Sequence, residues 1–251
     1  MSGHSKWSTI KHKKAATDAK RGKTFTRLGR EIVIAARQGG GNLDSNFNLR
    51  LAIEKAKRAN MPRDNIDRAI KRGTGELKGV ELTEVTYEGY APNGVAVIVQ
   101  GLTDNKNRTV AEIRRALTRQ GGNLAESGAV AWQFNRKGYI AISPAGLDPD
   151  SLFEIAVAGG ADDVEFGDDL VEVYVEPENF QIVRQVLEDA NIEVDTAEIS
   201  MIPTMLMQLD AKATIQVMKV IEALEDIDDV QQVYSNLDIT DEAMDQYEAA
   251  G

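Results

Sequence analysis

Along the first third of the chain, apolar positions recur at helical spacing. Phe25, Leu28, Ile32 and Ala36 predict a helix opening at Thr24 or Thr26 and running to about Arg37, where Gly39-Gly40-Gly41 stops it. Leu49, Ala52, Ile53 and Ala56 share one face of a second helix, from about Asn46 to Ala59. Met61-Pro62 breaks it, because the residue before proline is pushed out of the helical region. Pro62 then suits the first turn of a third helix that carries Ile66, Ala69 and Ile70 and ends at Gly73. Thr74 to Val80 reads as a linker.

Beyond it the period changes. Glu84 to Tyr90 and Gly94 to Gly101 read as strands joined by the turn-forming run Ala91-Pro92-Asn93-Gly94. Asn107 to Arg119 reads as a helix, and Ala129 to Asn135 as a third strand. A strand-helix-strand-strand-helix-strand series follows. Its strands are Tyr139 to Ser143, Val164 to Phe166, Leu170 to Val175 and Ala197 to Ile202, and its helices Asp148 to Ala158 and Pro177 to Ala190. That order predicts a ferredoxin-like unit. The late helix Asp210 to Leu224 and strand Val230 to Tyr234 are expected to return and complete the middle unit. The fold class is therefore α+β in three domains: an N-terminal helical bundle, then two α/β domains, the last inserted in the middle one. The expected boundaries are 1–80, then 81–136 with 205–240, with 137–204 inserted, and a loosely ordered acidic tail over 241–251.

Charge changes the picture most. The net charge of −11 hides strong segregation. Residues 1–80 hold 19 lysines and arginines against 7 acids, and residues 141–251 hold 3 against 27. A basic element attracts phosphates locally, whatever the sign of the whole chain. The opening carries Lys6, Lys11, Lys13, Lys14, Lys20, Arg21 and Lys23 against one acid, Asp18. Trp7, His4 and His12 lie among these cations, a mixture suited to phosphate contact and base stacking. Packing of Trp7 onto the bundle is an equal alternative. Ser5, Arg27, Arg30, Lys55 and Arg58 extend the candidate surface, as do Arg63 and Arg68 on the third helix. Arg108 and Arg115, with Arg119, fall near one face of the middle helix, where an ordinary exposed face explains them as well. The acidic strand Leu170 to Val175, with a single tyrosine, argues against an RNA-recognition sheet.

Catalytic constellations are missing. The only histidines are His4 and His12, and there is no cysteine, which leaves no zinc site, thiol nucleophile or triad to build. Neither Gly39-Gly40-Gly41 nor Gly73-Thr74-Gly75 precedes the Lys-Ser/Thr pair of a phosphate loop. The acidic pairs lack the spacing of a calcium loop. The expectation is a non-enzyme without cofactor or metal. No apolar run approaches the ~20 residues of a membrane span, so the expected location is the cytoplasm, away from membranes. Its partner is expected to be nucleic acid, DNA or ribosomal RNA, with the ribosome itself or a basic protein meeting the acidic domains as further candidates.

Gly3-His4-Ser5-Lys6-Trp7, Lys13-Lys14-Ala15-Ala16 and Asp18-Ala19-Lys20-Arg21-Gly22-Lys23 resemble the opening of the YebC family. Asn60-Met61-Pro62, Tyr87-Glu88-Gly89-Tyr90, Asp104-Asn105-Lys106-Asn107-Arg108-Thr109 and Gly121-Gly122-Asn123-Leu124 continue the resemblance over nearly the whole chain. It implies a helical bundle with two α/β domains, and a role as a DNA-binding transcriptional regulator. Mitochondrial relatives imply translational activation, and bacterial ones ribosome-linked translation at proline-rich stretches. It supplies no catalytic residue.

Overall fold

A computed structural model describes residues 18–79 and 81–249. Three helices form the first unit: α1 (Asp18–Gly39), α2 (Phe47–Arg58) and α3 (Arg63–Gly73). Helix α1 begins at least six residues before the expected Thr24, since nothing stronger than the lone Gly22 interrupts the turns ahead of that residue. Leu28, Ile32, Ala36, Leu49, Ala56 and Ile66 make the core. Buried Asn46 ties two helices together. Its Oδ1 accepts from Leu49 N at 3.0 Å, capping α2, while its Nδ2 donates to Ala35 O and Gly40 O at the end of α1. Gly73 lets α3 approach α1 closely, for a Cβ there would stand 2.5 Å from Val33 O.

The middle unit holds β1 (Thr83–Tyr90), β2 (Ala96–Thr103), α4 (Lys106–Arg119) and the short β3 (Asn123–Leu124). The β1–β2 hairpin turns through Asn93 and Gly94, both at positive φ. The expected strand over Ala129 to Asn135 does not form. Ala131–Gln133 is a 3-10 turn, and the extended chain starts only at Phe134, in the next sheet. Glu88 is the reason: its carboxylate accepts the N–H groups of Gly128, Val130 and Ala131 at 2.7–2.8 Å, removing them from any ladder.

Strands β4 (Phe134–Ile142), β5 (Asp163–Phe166), β6 (Val171–Val175) and β7 (Val194–Pro203) alternate with α5 (Pro149–Ala158) and α6 (Phe180–Asp189). The antiparallel order β5-β6-β4-β7 is ferredoxin-like, with α5 and α6 packed on Ile140, Val173 and Val175. The chain then returns through α7 (Ala211–Glu225) and β8 (Val230–Ser235). Strand β8 pairs with β2 to complete the first sheet, β3-β1-β2-β8. The third unit is thus inserted into the second, as the order of elements predicts. The loose tail is a correction. Asp241–Ala249 form helix α8, burying Ala243 and Tyr247 against α7, and the Tyr247 hydroxyl donates to Glu222 Oε2 at 2.6 Å. Two buried positions four residues apart within an acidic stretch make too short a pattern to outweigh its charge. Among the described residues no helix is long and apolar enough to cross a membrane.

Candidate nucleic-acid interface

Helix α3 presents its cations outward because Ile66 and Ala69 face the core. The Arg63 side chain is 92% exposed and, among the described residues, its ion-pair partner is Asp67, one turn on. Arg68 is exposed, held by Asn65 Oδ1 and Asp64 O on its own helix. Beside it, a groove of about 1150 Å³ runs between α1, α3 and the 75–82 segment, walled by Arg37, Arg68, Arg72 and Lys78 against Glu81 and Asp104. Arg37 is fixed there by donating to Leu82 O at 2.8 Å. Neither Arg72 nor Lys78 stands out in the sequence, although Arg68 and Arg72 are spaced i,i+4. Exposed guanidinium groups on a rigid helix are well suited to phosphate oxygens.

Other predicted contacts have different work. The Asp229 side chain is 2% exposed. It accepts from Arg30 Nη1 at 2.9 Å, Arg108 Nη2 at 2.6 Å, Thr109 Oγ1 at 2.7 Å and Thr103 Oγ1 at 3.0 Å. Burial pushes its carboxyl up, but Arg108, Thr109, Thr103 and Arg30 outweigh that and hold it below the ordinary aspartate value. Arg30 also donates to Asp228 O at 2.6 Å, so α1 is clamped to the corner before β8. Lys23 donates to Asp226 O at 3.2 Å at the same corner.

The helical unit grips the third unit through α2. Lys55 bridges Glu31 at 3.4 Å and Glu198 at 3.2 Å. Burial lowers its pKa, and the two carboxylates more than reverse that, leaving it raised. Arg58 donates to Val194 O and Asp195 O, Glu54 meets Arg184 at 2.8 Å, and Phe47 meets Phe180 edge-on with ring centroids 6.0 Å apart. Lys23, Arg30, Lys55 and Arg58 therefore join units to one another, while Arg108 ties α4 to the corner before β8 within the middle unit.

Arg27 is half-buried in the cleft where the three units meet, and Arg115 is exposed on α4. Because Arg108 folds back onto Asp229, the expected stripe through Arg108, Arg115 and Arg119 loses its first member. On the third-unit sheet Tyr139 and Tyr174 are buried, and the Tyr139 hydroxyl donates to Glu172 at 3.1 Å; neither ring lies open for base stacking. His4, Ser5, Lys6, Trp7, Lys11, His12, Lys13 and Lys14 lie outside the described residues, as do the side chains of Lys20 and Arg21 in the first turns of α1. Among the described residues no group of three His, Cys, Asp or Glu side chains is placed to hold a metal ion.

Family models match in two consecutive blocks. The TACO1/YebC N-terminal domain matches residues 5–76, and the TACO1/YebC second and third domain matches residues 82–237. A relative from Desulfosudis oleivorans is 53% identical over 96% of this chain and 98% of its own length. Another, from Dictyoglomus turgidum, is 53% identical over 97% of this chain and 98% of its own. Both bear the name "Probable transcriptional regulatory protein". The crystal structure of a conserved hypothetical protein from Aquifex aeolicus superposes with a TM-score of 0.81 at 47% identity, covering 89% of this chain and 93% of that one. On the strength of both domain matches and these full-length relatives, the chain belongs to the TACO1/YebC family.

Proposed function

We propose that this protein is a non-enzymatic, cytoplasmic regulator of gene expression that binds nucleic acid through residues 1–80. The observation carrying this reading is the cationic groove of Arg37, Arg68, Arg72 and Lys78, continuous through Arg68 with the exposed face of α3. The basic opening, Lys6 to Lys23, adds cations for phosphate contact. The names of the relatives agree with a regulator. Contacts of this kind fall on phosphates and give affinity with little sequence information. A crowded, structured RNA such as the ribosome's suits them better than one duplex sequence, so translation is the step we assign.

The test is co-sedimentation with translating ribosomes at near-physiological salt, beside titration of random duplex DNA. Retention on ribosomes with only salt-sensitive, sequence-indifferent DNA binding supports a translation factor. A duplex bound far above random sequence, with no ribosome retention, would return the function to transcription.

A protein-adaptor reading is favoured by one feature. Trp132 and Met205, 74% and 79% exposed, sit on adjoining loops joined by the Thr204 N to Gln133 O bond of 2.8 Å. An adaptor would keep its partner when Trp7, Lys13 and Lys14 are replaced, and lose it when Trp132 and Met205 become serine.

A further inference from the structure

A cleft of about 1340 Å³ lies where the three units meet. Helix α1 forms one wall, the β1–β2–β8 sheet another and β7 a third. Its volume exceeds the roughly 300–1,000 Å³ of a small-molecule site and suits a length of extended chain. Eleven carboxylates line it against six cations. Most of the cations are already engaged: Lys55 with Glu31 and Glu198, Arg58 with backbone carbonyls, Arg184 with Glu54 and Glu188, and Lys23 with Asp226. On the rim, Glu193, Asp195 and Asp228 are exposed.

A second observation points to an occupant. Two polar groups in the wall, Ser200 Oγ and Gln231 Nε2, are covered and have no hydrogen-bond partner among the described residues, and Ser200 is only 1% exposed. Buried polar atoms are ordinarily bonded, so this wall holds hydrogen-bonding capacity that the described residues leave unused. The third observation is where the chain enters. Lys23, Thr24 and Phe25 of α1 already line the cleft, and the described chain begins five residues before Lys23, at Asp18. Residues 1–17 carry Lys6, Lys11, Lys13 and Lys14 and no acid. Extended at roughly 3.3 Å per residue, they reach up to about 56 Å. Being tethered there, they meet it at an effective concentration no free peptide matches.

We propose that this acid-rimmed cleft is the intramolecular seat of the chain's own basic opening, residues 1–17, and that a nucleic acid must draw the opening out in order to use it. The second half of this proposal rests on the nucleic-acid reading above; the first does not. The cleft then acts as a competing polyanion, lowering affinity for weak targets and leaving strong ones able to displace it.

The test uses the full chain. The protein has two tryptophans, Trp7 and Trp132, so Trp132→Phe leaves Trp7 as the sole reporter of the opening. Acrylamide quenching of Trp7 is compared in three proteins: the Trp132→Phe parent, a rim variant adding Glu193→Gln, Asp195→Asn and Asp228→Asn, and a charge-matched control adding Asp150→Asn, Asp168→Asn and Asp169→Asn away from the cleft. The seat predicts a shielded Trp7 in parent and control, and severalfold stronger quenching in the rim variant. Equal quenching in all three overturns it, whether or not any of them binds nucleic acid. For competition, the rim variant is expected to bind a structured RNA roughly tenfold more tightly than the control, each exposed charge contributing modestly. Equal affinities, with Trp7 released, overturn the competition and leave the seat standing. A parent that binds no RNA or duplex at all sinks the nucleic-acid reading and competition with it, while Trp7 quenching still decides the seat.

Discussion

Arg30 and Asp229 lie 199 residues apart in the chain and meet at 2.9 Å. One belongs to the first helix and the other to the corner before the last strand of the middle unit. The bond explains how a small basic bundle is held against a more acidic body: the helical unit is anchored at one oxygen of a buried carboxylate whose other oxygen Arg108 grips.

Replacing that carboxylate should therefore loosen the joint. Asp229→Asn leaves two guanidinium groups facing a neutral amide, and the loss is on the order of 3 kcal/mol, as for breaking other buried pairs. The expected result is a first thermal transition lowered by several degrees and faster proteolysis between residues 74 and 82. An unchanged melting profile would show that the bundle is held elsewhere.

The same group sets an acid response. Asp229 has a folded pKa below its ordinary value, so its stabilisation is present above the unfolded value of about 3.9 and is lost as pH falls through the folded one. Glu88 acts with the same sign: burial raises it, and the N–H groups of Gly128, Val130 and Ala131 bring it below its ordinary value. Lys55 acts oppositely. Its raised pKa gives stability below about 10.4 that is lost only as pH rises further. Thermal midpoints should therefore be flat from pH 6 to 9 and fall below about pH 4, with Asp229→Asn removing part of that acid fall.

Gly73→Ala tests the close approach of α3 to α1. The added methyl would meet Val33 O at 2.5 Å and the Ala36 methyl at 2.6 Å, so the helices must separate. A cost of about 1–3 kcal/mol is expected, as for other overpacked sites, read as a lower urea midpoint.

Two sets of cations should behave differently. Lys55→Met leaves Glu31 and Glu198 without their shared partner and is expected to destabilise the protein while leaving the salt dependence of nucleic-acid binding unchanged. Arg63→Glu with Arg68→Glu should do the reverse, weakening binding with little change in the melting midpoint, because both side chains point away from the core. Circular dichroism melts and fluorescence titrations on both variants separate the two cases.

Much of this was legible in the residues. Helical spacing and Pro62 located the bundle, and the order of strands and helices gave the inserted ferredoxin-like unit, because periodicity and element order survive in one dimension. The strand expected at Ala129 to Asn135 failed because a side chain forty residues earlier, Glu88, claims its N–H groups. The cationic residues divided for the same reason. Lys55 and Arg63 look alike in sequence, yet one is caught between two carboxylates, one of them 143 residues away, and the other faces solvent. Net charge along the chain marks a basic region, but only the tertiary partners decide which of its cations remain available.

The most direct test of the central claim is the salt dependence of binding to a structured RNA and to random duplex DNA. It compares the full chain with a variant carrying Lys13→Glu, Lys14→Glu, Arg63→Glu and Arg68→Glu. Every phosphate that a side chain no longer neutralises takes about 0.9 off the logarithmic slope on a duplex, so the account predicts a slope shallower by about 3.6 and much weaker binding at every salt concentration. Identical slopes and affinities for the two proteins would contradict it.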